Sequence, residues 1–219
     1  GFSTSSALAA ERNLQEESPD WDFSALTEKN KKVWNDILSK IELKGGTTDQ
    51  RSIFYTALYH SFFMPSILSD VGEPNTRYTG LFPWDTYRSK HPLIAIIDPV
   101  RQGEMISSEL AISDQTGWLP TGNMMGNHNI EMITDAYAKG IRNFDTAKAL
   151  KIMRKSILQF PYARREMTDF NDHGYVPAEV TSSVTHSLEF AYNAWALAEY
   201  ISITGNKHNY KNEYDTLLK

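Results

Sequence analysis

The run SALTEKNKKVWNDILSKIELKGGTTDQRSIFYTALYHSFFMP, residues 24–65, holds two apolar rows of the same period with a double glycine between them. Leu26, Val33, Ile37 and Ile41 recur at helical spacing, with Lys29, Lys31, Lys32 and Asp36 between them, which predicts an amphipathic helix closed by Gly45-Gly46. Beyond that break Thr48 or Asp49 is placed to cap a second helix, whose Phe54, Leu58 and Phe62 line one face until Pro65 ends it. Two helices joined by a tight break form a hairpin.

The pattern continues downstream. Met105, Leu110 and Ile112 carry a helix over 99–114, interrupted by Gly117 to Gly122. Ile130, Ile133, Ala136 and Tyr137 form the next stripe, stopped by Gly140, and Phe144, Leu150, Met153 and Ile157 mark another that runs to Gln159. A long helix is predicted over 183–204 through Leu188, Tyr192, Trp195, Leu197 and Ile201, and a last one from Lys207 through Tyr210, Tyr214, Leu217 and Leu218. Residues 1–21, rich in serine and alanine and then polar around Pro19, read as an extended lead-in. Short glycine breaks lie on one side of these helices. Long polar-aromatic loops, 68–84, 117–122 and 160–182, lie on the other. This asymmetry predicts an all-α chain of helical hairpins arranged as a toroid. A superhelical repeat array serving as an interaction domain stays open, although successive units satisfy no consensus repeat.

Composition bounds the function. The chain has 219 residues, 41% hydrophobic and 22% charged, which is globular and long enough for a sizeable core. A net charge of -5 argues against a nucleic-acid partner and suits an uncharged polar substrate. Without cysteine there is no disulfide, thiolate metal site or cysteine nucleophile. No apolar run approaches the roughly 20 residues of a membrane span, and residues 1–10 lack the basic and apolar regions of a signal peptide. The sequence also lacks the phosphate-cradling glycine motifs, the helix-borne zinc motif and the serine-hydrolase elbow.

The densest polar-aromatic cluster is Phe82-Pro83-Trp84-Asp85-Thr86-Tyr87-Arg88, with His91-Pro92-Leu93 after it. An indole stacks on the C–H face of a pyranose, while a carboxylate and a guanidinium bond neighbouring hydroxyls, so Trp84, Asp85 and Arg88 suit a sugar. The competing reading makes Asp85 a helix cap, Trp84 a buried ring and Arg88 the partner of Asp85. Gly126-Asn127-His128 opens a helix with Glu131 one turn on. There Asn127 caps the helix and Glu131 sits by its positive end, or the amide and imidazole face a site beside Trp84. Phe170 to Tyr175 and Glu179 make a third polar-aromatic loop, whose Asn171-Asp172-His173 lacks the regular oxygen ligands of a calcium loop.

Several motifs occur together in one order. They are Phe54-Tyr55-Thr56-Ala57-Leu58-Tyr59-His60-Ser61, Ser69-Asp70-Val71, Trp84-Asp85-Thr86-Tyr87-Arg88, Gly117-Trp118-Leu119-Pro120 and Met125-Gly126-Asn127-His128, then Asp135 to Ile141, Gly174-Tyr175-Val176-Pro177 and Ser187 to Tyr192. This series resembles glycoside hydrolase family 92, the calcium-dependent exo-acting α-mannosidases. Ala9 to Leu14 and Trp21-Asp22-Phe23 resemble the segment joining that family's β-sandwich to its (α/α)6 barrel. The resemblance implies a linker over 1–24 and the first half of the barrel over 25–219. It implies terminal α-linked mannose of a glycan as substrate, hydrolysis by inversion, calcium held mostly outside this chain, and an exported protein. Trp84, Asp85, Arg88 and His128 match sugar-site positions, and the general base is expected beyond Lys219. The family's usual acid, a glutamate between Pro120 and Met124, is absent, because only Thr121, Gly122 and Asn123 lie there. A non-catalytic carbohydrate-binding or scaffold protein on the same barrel is therefore the alternative, and the chain alone is expected to be inactive. An incomplete barrel exposes apolar edges, so either oligomerisation or further segments are expected to complete it.

Overall fold

The computed structural model describes residues 1–79, 83–121, 124–158 and 165–218. Phe82, Gly122, Asn123, Gln159 and Phe160, which the sequence reading placed in loops or at helix ends, lie outside them. The chain divides into two compact units, Gly1–Gly80 and Leu81–Lys219.

The first unit opens with a helix, α1 (Ala7–Glu17), where an extended lead-in was expected. Alanine is the strongest helix former, and the Ser6 side chain caps the segment by accepting the Ala9 N–H at 3.1 Å. Buried Asn13 then ties the helix down. Its amide donates to Phe2 O and to Asp70 Oδ1, and its oxygen accepts the Val71 N–H. The expected hairpin follows as α2 (Phe23–Leu38) and α3 (Thr48–Phe63). Trp34 and Tyr59 pack across it with ring centroids 4.3 Å apart. The cap of α3 is Thr47 rather than Thr48 or Asp49, in a reciprocal arrangement with Gln50. Ile41 lies beyond the end of α2, where its carbonyl accepts the Tyr55 hydroxyl. The loop after α3 folds back on itself through a bridge between Ile67 and Tyr78.

The second unit comprises α4 (Pro83–Thr86), α5 (Lys90–Ile97), α6 (Pro99–Thr116), α7 (Asn129–Ala138), α8 (Thr146–Leu158), α9 (Arg165–His173), α10 (Ser183–Ile203) and α11 (Lys211–Leu217). Gly117, in the left-handed region at φ 84, ends α6 where the sequence places a break. Three helices were not anticipated, the single turn α4 among them. The apolar α5 buries His91 against Gln102 of α6, and α9, read as loop, carries Phe170 onto the Phe190 ring at 5.6 Å. The core lies between α6, α7, α8 and α10 around Ile106, Ile130, Ile133, Met153, Leu197 and Ile201. Helix α10 crosses this core and is bonded to both neighbours: Thr134 of α7 donates to Ala196 O, and the Tyr200 hydroxyl donates to Thr146 O of α8. Residues on α7 and α10 are thereby held in fixed register.

Candidate functional site

Two bonded levels join the start of α7 to the middle of α10. At the first, His128 Nε2 meets Glu189 Oε2 at 2.5 Å, and the imidazole is almost fully buried. At the second, one turn further along both helices, Asn193 Nδ2 donates to Glu131 Oε1 at 2.7 Å. Asn193 also accepts the backbone N–H of Asn127 at 2.7 Å, which fastens the loop before α7 to α10. That loop passes at Gly126, whose φ of 74 suits glycine. A Cβ there would stand 3.0 Å from Asn193 Oδ1, 3.1 Å from Glu189 Cβ and 3.2 Å from His128 Cε1.

Tyr87, just after α4, covers the outer side of the histidine with ring centroids 4.4 Å apart, and Arg88 bonds the Tyr87 hydroxyl at 2.5 Å. Tyr192 completes this wall at 5.9 Å from the Tyr87 ring. Burial lowers the His128 pKa below the ordinary histidine value, against the opposing hydrogen bond and charge of Glu189. Burial pushes Glu131 the other way, up to about 8, although the Asn193 bond favours its charged form. At neutral pH Glu131 therefore holds a proton, and its Oε2 has no hydrogen-bond partner among the described residues. Behind the loop lies a cavity of about 30 Å³ lined by Thr121, Met124, Asn127, Ser156 and His186, room for about one water. A wider depression of about 230 Å³ is bordered by Glu131, Asp135, Tyr192, Trp195 and Glu199.

The residues singled out in the sequence separate into two groups. Arg88 and His128 belong to this arrangement through Tyr87 and Glu189. Trp84 and Asp85 lie on α4 with Trp84 39% exposed, and among the described residues no hydrogen bond or ring contact joins either to His128. The structural alternative for this cluster is also not met. Asp85 sits inside α4, the Trp84 ring is not buried, and Arg88 turns to Tyr87. His91 is a core histidine, held by Gln102 at 3.1 Å and driven down to about 4 by burial. Asn127 does not cap α7. Its side chain donates to Leu119 O, while His128 takes the cap position without a side-chain bond. Glu131 does lie in the first turn of α7, by its positive end, and is covered there by α10.

Glu189 and Asn193 complete the site but went unassigned in the sequence. Their signal was there: both sit at helical spacing with His186 and Phe190 along the buried face of α10, where polar side chains need partners. No group of three or more histidine, aspartate or glutamate side chains converges among the described residues.

Residues 9–217 match the glycosyl hydrolase family 92 catalytic domain. The chain belongs to this family. Two solved GH92 enzymes of Bacteroides thetaiotaomicron are similar to it. One, an inverting mannosidase, is 26% identical at a TM-score of 0.88, over 98% of this chain and 33% of its own. The other, an α-mannosidase in complex with mannoimidazole, has the same identity and TM-score over 99% of this chain and 30% of its own. No protein of curated function matches the sequence. The GH92 chain thus spans about a third of the length of these enzymes. Within that span it has their fold, helical hairpins of an (α/α)6 barrel that is incomplete in this chain.

Proposed function

We propose that the GH92 protein carrying this chain removes terminal α-linked mannose from glycans by inversion, with calcium, outside the cell. The observation that carries this reading is the match of residues 9–217 to the GH92 catalytic domain, together with a similar fold in an α-mannosidase that holds mannoimidazole. In this reading the described helices contribute sugar recognition. Trp84 offers a part-exposed indole for the C–H face of a pyranose, Asp85 and Arg88 offer exposed polar groups, and the His128–Glu189 pair supports this surface from beneath Tyr87. Residues 1–24 serve as the linker from a preceding β-sandwich, and 25–219 as the first half of the barrel. No helix among the described residues is long and apolar enough to cross a membrane, which is compatible with an exported enzyme.

Inversion needs an acid and a base about 6.5–9.5 Å apart with a water between them. The missing glutamate between Pro120 and Met124 favours a second reading, a carbohydrate-binding protein on the same fold that does not turn its ligand over. Both readings are tested on the full-length protein with an aryl α-mannoside, following the first-formed anomer by NMR with calcium and then with chelator. Release of β-mannose that stops on chelation is the expected result. Release of α-mannose excludes inversion, mannose binding without turnover establishes the second reading, and neither binding nor turnover removes mannose as the ligand. The 219-residue chain alone is expected to show no turnover.

A further inference from the structure

Asn193 bonds both the helix and the loop that carry His128. On α10 it follows Glu189 by one turn, as Glu131 on α7 follows His128, so the two cross-links lie side by side. Its amide is used at both ends: the nitrogen donates to Glu131 Oε1 and the oxygen accepts from Asn127 N. That orientation has one sense. A flipped amide would set its NH2 against the Asn127 N–H, donor against donor. We infer that Glu131 and Asn193 are positioning residues for the His128–Glu189 pair: the Glu131 carboxyl orients the Asn193 amide, and Asn193 holds the Asn127 backbone that sets His128 against Glu189.

Packing alone does not explain this arrangement. A carboxyl group this buried, with one oxygen unpartnered, is costly to keep, and a leucine would fill similar space without that cost. A leucine would not orient an amide. Asn127, His128, Glu131 and Asn193 are each no more than 5% exposed, so little solvent competes for these bonds. Gly126 supports the same geometry, since a side chain there would press on Asn193, Glu189 and His128 together. The groups that face the two titrating side chains are few. Glu189 of α10, Tyr87 and Tyr192 act on or with Glu131, and Glu189, Arg88 and Tyr87 face His128.

The inference rests on the pair belonging to the glycan site, but its test needs no sugar, so failure of the mannosidase reading leaves it separately measurable. In the full-length protein, the ring signals of His128 are followed by NMR across pH. Glu131→Gln, which keeps the acceptor for Asn193, is expected to leave the His128 midpoint where it is. Glu131→Leu and Asn193→Ala release the loop and admit water to the imidazole, which moves its midpoint up by about one pH unit, a tenfold gain in proton affinity. The double variant is expected to shift no further than either single one. Folded Glu131→Leu and Asn193→Ala proteins whose His128 titration superimposes on the parent would overturn the inference, as would additive shifts. Should those variants not fold, the parent decides. Its His128 signals are expected to respond a second time as Glu131 ionises, a response lost in Glu131→Gln, and its absence from the parent counts against the positioning role.

Discussion

At the scale of single residues, two buried groups pull the pH dependence of stability in opposite directions. Glu131 is held protonated up to about 8 in the folded chain, against an ordinary 4.5. Between those values the unfolded chain has lost a proton that the folded one keeps, so this group makes stability fall as pH rises, by about 1.4 kcal/mol per unit. His91 has the reverse sign. Its folded value near 4 lies below the ordinary 6.5, so its contribution is complete above 6.5 and is lost as pH falls toward 4. His128, also lowered, acts in the same sense. The two slopes therefore offset each other in the mildly acidic range, and only that of Glu131 remains between about 6.5 and 8. Urea denaturation across this window is expected to show declining stability in the parent and a flat line in Glu131→Gln, and a flat parent would mean that Glu131 ionises normally. What the sequence reveals at this scale is uneven. His128 and Arg88 are found because each sits in a short motif, whereas Glu189 and Asn193 lie 61 and 62 residues from the partners they bond. No local pattern reports such a pairing; helix packing creates it.

Among the elements, helices with a strong apolar row were legible and those stabilised by particular contacts were not. Helix α10 spans Ser183–Ile203, within one residue of its predicted end, because its period and its terminal Gly205 agree. Helices α1 and α9 were missed for a shared reason. Large apolar residues are few in both, Leu8 and Leu14 in α1 and Met167 and Phe170 in α9, too few to repeat as a row, and each helix is held by contacts to distant residues, Asn13 on Asp70 and Phe170 on Phe190. Helix α3 shows a local signal read one residue late. Thr47 accepts the Gln50 N–H at 3.2 Å and Gln50 Oε1 accepts the Thr47 N–H at 2.9 Å, a reciprocal cap one position before the expected one. Thr47→Ala removes the side-chain half of that cap and is expected to lower stability by about 1 kcal/mol, while Thr48→Ala changes it by well under half of that. Comparing the denaturation midpoints of the two variants checks the assignment, and equal losses would return the cap to the predicted position.

For the molecule as a whole, the decisive feature is how α10 divides its two sides. Ala194, Leu197, Ala198 and Ile201 are buried in the core, yet Val184, Leu188, Tyr192, Trp195 and Ile203 are 39–71% exposed. At 3.6 residues per turn these five fall within about a third of the helix circumference, forming an apolar row that Glu199, between Trp195 and Ile203, interrupts. Rows of this kind are seldom left in water by a soluble monomer. The similar GH92 enzymes are about three times as long as this chain, so in a protein of their length there is ample further chain to cover it. In the 219-residue chain by itself the row has only other copies to pair with, and a net charge of -5 gives weak repulsion at physiological salt. Sedimentation is therefore expected to show concentration-dependent self-association of that chain. Replacing Val184 and Leu188 by lysine, both remote from the Glu131–Asn193 level, should reduce the association at least tenfold without loss of helix content. A chain that stays monomeric at every concentration, or one whose association is untouched by the two lysines, would show that this row is tolerated in water and that closure of the barrel depends on other surfaces.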